Sequence, residues 1–183
     1  TKRGITKDDI FKWKIGYCAE GEYAGRIVVP SFNSSGYANY FIARSYGYDW
    51  PRYKNPPASR DIIFNELYVN WDEDIVIVEG VFDAIKAGNA IPLLGSTLRE
   101  NSALFQAIVK GGNRVFLALD EDASKKTRSI SRLLLKYGIE TYEIDTSGIE
   151  DVGDMSKEEF QVRKSKASFI EKDNYLLQRL SAI

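Results

Sequence analysis

The sequence predicts an α/β protein in which a parallel sheet flanked by helices follows a small α+β part. Two continuous apolar runs, Ile75–Val78 and Val115–Leu119, have the composition of strands that are buried on both faces of a sheet. From Ile75 onward, strand and helix patterns alternate with short links, and such alternation requires right-handed crossovers between parallel strands. Before them, the β-branched run Arg26–Pro30 and a turn signal predict an antiparallel hairpin.

The predicted elements follow one another closely along the chain. Thr6 is expected to cap a short helix, and Arg26–Pro30 and Asn39–Ala43 are the expected hairpin strands. The later part is expected to contain strands Ile75–Val78, Ala90–Leu94, Val115–Leu119 and Ile139–Ile144, and helices Val81–Ala87, Arg99–Lys110 and Ser124–Tyr137. We therefore expect an N-terminal subdomain over residues 1–70, an α/β domain over 71–156 and a C-terminal helical tail over 157–183.

Composition excludes several kinds of protein. With 44% hydrophobic and 28% charged residues among 183, the chain has the make-up of an ordinary globular protein. A single cysteine, Cys18, and the lack of histidine exclude an internal disulfide, a Cys/His zinc site and a Ser-His nucleophile pair. No apolar run approaches the roughly 20 residues that span a bilayer, and no signal peptide opens the chain, so no membrane partner is expected. Because it begins with Thr1, we expect a processed chain or a piece of a longer one.

Acidic residues are concentrated in the middle of the chain. Residues 71–122 contain 4 Lys and Arg against 9 Asp and Glu, whereas residues 1–70 contain 10 against 7. This distribution is not that of a wholly basic nucleic-acid binder. It is compatible with an acidic centre that carries bound metal between basic flanks, since a bound cation reverses the local field.

Three acids stand at the predicted ends of two strands. Glu79 follows Ile75–Val78, and Asp120 and Asp122 occupy alternate positions after Val115–Leu119, so both can point the same way. Ligands of open α/β sheets bind beyond the carboxyl ends of the strands, so these acids are expected to converge if the strands are neighbours. Carboxylates so close repel unless a cation or proton lies between them, and oxygen ligands without histidine indicate Mg²⁺ or Mn²⁺.

Asp83 lies one helical turn after Glu79 and is expected on the same side of the helix. Its alternative role is that of a first-turn acid favoured by the helix dipole, and a similar structural role beside the helix start is the alternative for Glu79. A stripe of basic residues on the later helix is either its solvated face or a surface that meets nucleic acid. Its members are Lys125, Arg128, Arg132 and Lys136.

Aromatic residues crowd the end of the first part of the chain. Cross-strand packing on a small sheet is the simpler interpretation, and a platform on which unpaired bases stack is the alternative. Arg44, Arg52 and Lys54 interleave with these rings, and as a group they would suit phosphates. The aromatic residues are Tyr37, Tyr40, Phe41, Tyr46, Tyr48, Trp50 and Tyr53.

The acidic pattern, a strand ending in Glu-Gly and a later strand ending in Asp-x-Asp, resembles a Toprim domain. The segments RGIT, IGY, RIVVPSFNSSGYANYFIARS and PRYKNPP are similar to the N-terminal subdomain of the RNA polymerase core of DnaG-type primases. This resemblance covers about residues 3–160. It implies a Toprim-type parallel sheet preceded by the small α+β subdomain.

The resemblance also implies roles for individual residues. It makes Glu79, Asp120 and Asp122 the catalytic metal-binding acids, with Asp83 nearby. Within EDVGDM, Asp151 matches the first acid of the family's final acidic motif, whereas Asp154 stands one residue late for the second acid. Where the family has a Lys after the proline loop, this chain has Asn65. The residues implied to guide template and nucleotide are Arg44, Arg52, Tyr53, Lys54 and Asn55.

The function implied is that of a DNA primase catalytic core, which makes short RNA primers from ribonucleoside triphosphates on a single-stranded DNA template with Mg²⁺ or Mn²⁺. A replicative helicase and an upstream or separate zinc-binding domain are the implied partners, because a chain with one Cys and no His cannot form a Cys/His zinc site. The opening Lys-Arg-Gly and the Asp151–Met155 variant are more phage-like than chromosomal, and the bacterial cytoplasm is the expected location. Two alternatives are a metal-dependent Toprim nuclease and a non-catalytic, single-strand-binding module of a helicase assembly.

Overall fold

The structure is a computed structural model that describes residues 4–47, 50–95, 97–149 and 151–171. The chain divides into two compact units, Thr1–Val69 and Asn70–Ile183.

The first unit is built on a three-stranded antiparallel sheet. Helix α1 begins after Thr6, whose hydroxyl accepts the Asp9 amide at 3.1 Å while the Asp9 carboxylate accepts the Thr6 amide at 3.0 Å. The expected cap and the expected hairpin are both confirmed, and strand β1 adds to the hairpin on its other side. The elements are α1 (Lys7–Lys12), β1 (Gly16–Cys18), β2 (Arg26–Phe32), β3 (Ala38–Ser45) and a 3-10 turn at Glu66–Tyr68.

Asn65 fastens this 3-10 turn to the hairpin. Its backbone is left-handed, with φ 54°, a conformation that Asn adopts more readily than most residues. The side-chain Oδ1 accepts the Phe32 amide at 3.1 Å, and the Asn65 amide donates to Ser31 Oγ at 2.9 Å, beside the irregular step in strand pairing at Ser31/Phe32. Asn65 is 2% exposed. The position where the family resemblance suggests a Lys is therefore a buried structural residue in this chain.

The second unit is a five-stranded sheet flanked by helices. Its strand order is β5-β4-β6-β7-β8, and every neighbouring pair is parallel except β7 and β8. All four residues of β4 and all four of β6 are buried, which confirms the interpretation of the two apolar runs. The elements are β4 (Ile75–Val78), α2 (Val81–Ala87), β5 (Ala90–Pro92), α3 (Ala103–Gly111), β6 (Val115–Ala118), α4 (Ser124–Lys136), β7 (Thr141–Glu143), α5 (Lys157–Ser165) and β8 (Ser168–Phe169), with 3-10 turns at Glu121–Ala123 and Val152–Asp154.

The expected helical tail is wrong in one respect. Helix α5 ends at Ser165, and the chain then forms β8, whose Phe169 pairs with Tyr142 in antiparallel fashion. The Ile170 amide extends this pairing by donating to the Thr141 carbonyl at 2.9 Å. A two-residue strand has too little periodicity to be detected in a sequence. Residues 172–183 of the predicted tail lie outside the described residues.

Element ends also differ from the predictions. Helix α3 starts at Ala103 and not at Arg99, because Ser102 caps it by accepting the Phe105 amide at 3.3 Å. Strands β5 and β7 are each three residues long and so shorter than expected. Within the described part of the chain, no helix has the length and apolar character needed to cross a membrane.

Candidate functional site

The acidic edge of the second sheet is the place where β4 and β6 end side by side. These strands are parallel neighbours, and Val78 pairs with Ala118 at their carboxyl ends. Glu79 follows the first of these strands directly, and Asp120 follows the second after one residue. Asp122 lies in the next 3-10 turn and is exposed. The chain topology therefore brings the three predicted metal ligands to one edge of the sheet, as expected for strands that are neighbours.

Glu79 is held by a lysine of the next helix. Lys126 Nζ donates to Glu79 Oε2 at 2.8 Å, and the two side chains are 26% and 22% exposed. The other carboxylate oxygen, Oε1, is buried without a hydrogen-bond partner, as is Oδ1 of Asp120. Buried polar atoms are normally paired, so two partnerless carboxylate oxygens at one edge indicate a place where a cation or donor is accepted.

Asp120 is the acid on which the charges of several neighbouring carboxylates act. Burial raises its pKa to about 6, with further contributions from the negative charges of Glu79, Asp151 and Asp122, and the positive charge of Lys126 opposes them. These interactions indicate a cluster of carboxylates around Asp120. The Asp120 carboxyl is mostly ionised at neutral pH and becomes protonated below about pH 6.

Asp151, which belongs to this cluster, also pairs with Asp83. Asp83 is 5% exposed, and its Oδ2 accepts the Gly80 amide at 2.7 Å. Burial, then the hydrogen bond to Asp151 and the charge of Asp151, raise the pKa of Asp83 to about 8. The two carboxyl groups therefore share a proton at neutral pH. Asp151 also accepts the Gly153 amide at 2.8 Å, so this pair ties α2 to the Val152–Asp154 turn.

Gly80 leaves room for the Asp83 carboxylate. Its φ is −123°, an ordinary extended value that any residue adopts. A Cβ built on it would lie 3.1 Å from Asp83 Oδ2, which is tighter than most such contacts. The short Glu79-Gly80 step therefore allows Asp83 to fold back over the start of its own helix.

The ligand atoms at this edge are of the kind that binds a hard divalent cation, but their arrangement does not form a metal site. All candidate donors are carboxylate oxygens, the ligands that Mg²⁺ prefers, and two of those oxygens are buried without partners. Yet among residues 4–47, 50–95, 97–149 and 151–171, no three such side chains are arranged closely enough to hold a metal as they stand. The ion pair with Lys126 already takes one oxygen of Glu79.

The predicted template- and nucleotide-binding residues lie together in the first unit. The segment from Arg52 to Asn55 runs beside the end of β3, where Tyr53 forms an isolated antiparallel bridge with Arg44. The Ser45 amide donates to the Arg52 carbonyl and the Lys54 amide to the Ala43 carbonyl, both at 2.9 Å. The Asn55 side chain belongs to the same arrangement, because its Oδ1 accepts the Ala43 amide at 3.3 Å. Their roles in binding stay predictions.

Two of these basic side chains have aromatic and polar neighbours. Lys54 Nζ lies 3.0 Å from the Glu22 carbonyl oxygen, 3.1 Å from Glu22 Oε1 and 5.3 Å from the centroid of the Tyr23 ring. The Arg44 guanidinium lies 5.6 Å from the centroid of the Tyr53 ring.

The aromatic residues divide between the two interpretations. Tyr40 is buried, as cross-strand packing requires, whereas other rings are exposed and accessible to a base. Tyr48 lies outside the described residues. The exposed rings are Tyr37, Tyr46, Trp50 and Tyr53.

Sequence reasoning missed Lys126 as a partner of the acidic edge. The basic stripe that it identified on α4 begins with the exposed neighbour Lys125. A signal for Lys126 was present, because residues four apart lie in one row along a helix and Lys126 is in line with the buried Ile130 and Leu134. A lysine that extends a buried row to the end of a helix is directed toward the sheet edge.

Comparison with known proteins supports the primase resemblance. No protein-family model matches the chain. The DNA primase of Thermotoga maritima is 29% identical over 153 residues, which cover 75% of this chain but 27% of that protein. This chain therefore spans about a quarter of the length of the curated relative.

Solved primase structures share the fold. The zinc-binding and RNA polymerase domains of the Aquifex aeolicus primase match with a TM-score of 0.77 and 21% identity, over 92% of this chain and 54% of that one. A DnaG primase catalytic domain bound to single-stranded DNA matches with a TM-score of 0.76 and 19% identity, over 92% and 70%. The E. coli primase catalytic core matches with 0.72 and 18%, over 92% and 71%. The chain is thus similar in sequence to a DNA primase over three quarters of its length and shares the fold of primase catalytic cores over most of it.

Proposed function

We propose that this chain is the catalytic core of a DNA primase, which synthesises short RNA primers from ribonucleoside triphosphates on single-stranded DNA. The observation that carries the proposal is the acidic edge beyond β4 and β6, with its two partnerless buried carboxylate oxygens, in a chain with the fold of primase cores.

In this proposal the edge is a Toprim-type metal site. Glu79, Asp120 and Asp122 would hold Mg²⁺ or Mn²⁺, with Asp151 beside them. When bound, the cation orients the triphosphate and stabilises the charge that develops during nucleotidyl transfer. Asp83 was also a predicted ligand, but its shared proton with Asp151 favours a positioning role, in which it holds Asp151 toward the edge.

In this proposal the chain's own residues supply an ionised metal ligand and a surface that binds template and nucleotide. At neutral pH the Asp120 carboxylate is mostly ionised and available as a ligand, because the pKa of Asp120 is about 6. No protein nucleophile is required, since the attacking hydroxyl belongs to the nucleotide or primer. The binding residues would guide template and nucleotide, with cations against phosphates and the Tyr53 ring against a base. They are Arg44, Arg52, Tyr53, Lys54 and Asn55.

The partners follow from the same proposal. A related DnaG catalytic domain has been solved with single-stranded DNA, which supports a single-stranded template for this chain. The Aquifex structure pairs its polymerase domain with a zinc-binding domain. With one Cys and no His, this chain would depend on such a domain from elsewhere, as well as on a replicative helicase. The bacterial cytoplasm is the setting that we propose.

A primer-synthesis assay tests the function. The protein is incubated with single-stranded DNA, labelled ribonucleotides and Mg²⁺ or Mn²⁺, and primers are resolved by length. We expect Glu79→Gln and Asp120→Asn each to reduce the yield by about 10²-fold or more, because each removes a ligand charge. Glu121→Gln is the matched control, since Glu121 is an exposed acid beside Asp120. Wild-type yield from the Glu79 and Asp120 variants would overturn the assignment.

The same preparation distinguishes the two alternatives. Nicking of a plasmid with Mn²⁺, lost in the Asp120 variant, would make the chain a Toprim nuclease. The other alternative is a non-catalytic module that binds single-stranded DNA. That alternative predicts no primers with any metal, and single-stranded DNA binding that the acid variants leave unchanged.

A further inference from the structure

The ion pair between Lys126 and Glu79 lies at the site where the proposed cation would bind. The ammonium is 2.8 Å from Glu79 Oε2, and both side chains are about three-quarters buried. Long side chains at an exposed surface usually find water instead, so a close, largely buried pair is a specific feature of this edge.

The ammonium also acts on the second acid of the edge. The charge of Lys126 opposes the rise in the pKa of Asp120 that burial and the neighbouring acids cause. The same positive charge therefore pairs with Glu79 and offsets part of the repulsion that Asp120 experiences. A divalent cation bound to Glu79 would lie close to that ammonium, and the two positive charges would repel each other.

We propose that Lys126 is a built-in counter-cation of the acidic edge, which competes with the divalent cation for Glu79 and must leave Glu79 before the metal site assembles. The inference rests on the proposed function, since it concerns loading of the same site. It concerns the one oxygen of Glu79 that already has a partner, whereas Glu79 Oε1 and Asp120 Oδ1 have none. The flexible four-carbon stem of lysine allows its ammonium to turn away when it is displaced.

Competition of this kind has measurable consequences. Removing the ammonium removes the repulsion between Lys126 and an incoming divalent cation, and frees Glu79 Oε2. At the same time it leaves the partly buried Glu79 carboxylate without its partner, which destabilises the fold until a cation takes the vacated place. Lys126→Met should therefore bind metal more tightly and depend on metal more strongly for its stability.

The experiment measures Mn²⁺ binding by the intensity of the free-ion signal in electron paramagnetic resonance, together with thermal unfolding in EDTA and in Mn²⁺. We expect Lys126→Met to tighten Mn²⁺ binding on the order of tenfold relative to the wild-type chain. Its unfolding temperature should fall in EDTA, and Mn²⁺ should raise it by more than in the wild type. Lys126→Gln, which retains a donor for Glu79 without the charge, should lie between and serves if the Met variant does not fold.

The matched control is Lys125→Met. It removes the same charge from the adjacent, exposed position of the same helix, so the two variants differ in the contact with Glu79 and not in net charge. Equal Mn²⁺ affinities for the Lys125 and Lys126 variants would overturn the inference. Weaker binding by Lys126→Met would overturn it as well, since Lys126 would then support the metal.

Failure of the inference and failure of the proposed function give different results. If Glu79→Gln and Asp120→Asn bind Mn²⁺ as tightly as the wild type, the proposed metal site is wrong. If those variants lose Mn²⁺ binding while Lys126→Met binds it unchanged, the site stands and only the competition by Lys126 is refuted.

Discussion

The two units of this protein differ in how far their candidate functional charges are buried and paired. In the second unit, the acids beyond β4 and β6 lie close together and partly buried, and two of their oxygens have no partner. In the first unit, Arg52 is exposed, Arg44 is half-buried, and Lys54 is half-buried and paired with Glu22. The acidic edge is therefore held together by the fold against its own repulsion, whereas the basic surface imposes little strain on its unit.

The sheets beneath these surfaces explain the difference. Strand β4 is buried at all four positions, whereas the burial of β2 varies along its length. A parallel sheet covered on both faces gives a rigid edge, and repelling carboxylates can be positioned only on such a support. An antiparallel sheet with one partly open face supports exposed charges without this requirement.

The largest expected effect tests this difference in support. Ile77→Ala removes a side chain that is fully buried in β4 and should lower the free energy of unfolding by about 2–5 kcal/mol. The matched change Ile27→Ala, at a half-buried position of β2, should lower it by about 1 kcal/mol. Urea denaturation of each variant measures both values. Equal losses would contradict the idea that the second sheet is the more demanding support.

A second expectation concerns metal binding and pH. Because the pKa of Asp120 is about 6, its carboxyl binds a proton below that pH and then no longer accepts a cation. Mn²⁺ affinity should therefore fall as the pH is lowered through 6, approaching about tenfold for each pH unit below it. Titrations between pH 5 and 8 measure this slope, and Asp120→Asn should remove most of it. A flat profile in the wild type would exclude Asp120 as a ligand.

A third expectation concerns the Asp83–Asp151 pair, whose contribution to folding stability should fall as the pH rises. The pKa of Asp83 is raised from 3.8 to about 8, so between these values the folded state binds more protons than the unfolded state. The contribution of Asp83 is complete below about pH 4 and is lost as the pH rises toward 8.

Asp83→Asn should remove this loss, because an amide mimics the protonated carboxyl and keeps both an acceptor for Gly80 and a donor for Asp151. We expect the variant to gain stability relative to the wild type as the pH rises from 5 to 8, by roughly 1 kcal/mol for each pH unit. Thermal unfolding in EDTA across this range provides the measurement. A difference in stability that stays the same across this range would argue against the shared proton.

The smallest expected effect is on the basic surface. Arg52→Gln should weaken binding of single-stranded DNA by about threefold and reduce its salt dependence, since one phosphate contact is lost. Its unfolding temperature should be unchanged, because Arg52 is exposed. Lys12→Gln, an exposed basic residue of α1 outside the predicted surface, is the control for net charge. Equal affinities for the two variants would remove Arg52 from the binding surface.

The acidic edge could be predicted because it depends on backbone topology. Continuous apolar runs identify strands buried on both faces, and the residues after neighbouring parallel strands necessarily meet at one edge. Glu79 and Asp120 were located in this way. The presence of two separate sheets could be predicted for the same reason, because a sequence that alternates strands with helices differs from that of a hairpin.

The contacts of individual side chains could not be predicted. The pairing of Lys126 with Glu79 joins residues 47 positions apart and depends on how α4 packs. The proton shared by Asp83 and Asp151 depends on burial, which no local pattern reveals. For Asn65, the sequence showed only that it replaces a Lys of the family. Its hydrogen bond with the Phe32 amide forms only once the hairpin has folded, so it could not be predicted.

The close approach at Gly80 also has an evolutionary consequence. A Cβ at position 80 would press on Asp83 Oδ2 at 3.1 Å, while the backbone conformation there would accept any residue. Positions 80 and 83 should therefore change together: sequences with Ala at 80 should more often have a shorter residue at 83. The Glu-Gly motif then shows only one of two positions that vary together. A search for relatives that scores positions 80 and 83 jointly should recover sequences that a search with the motif alone would miss.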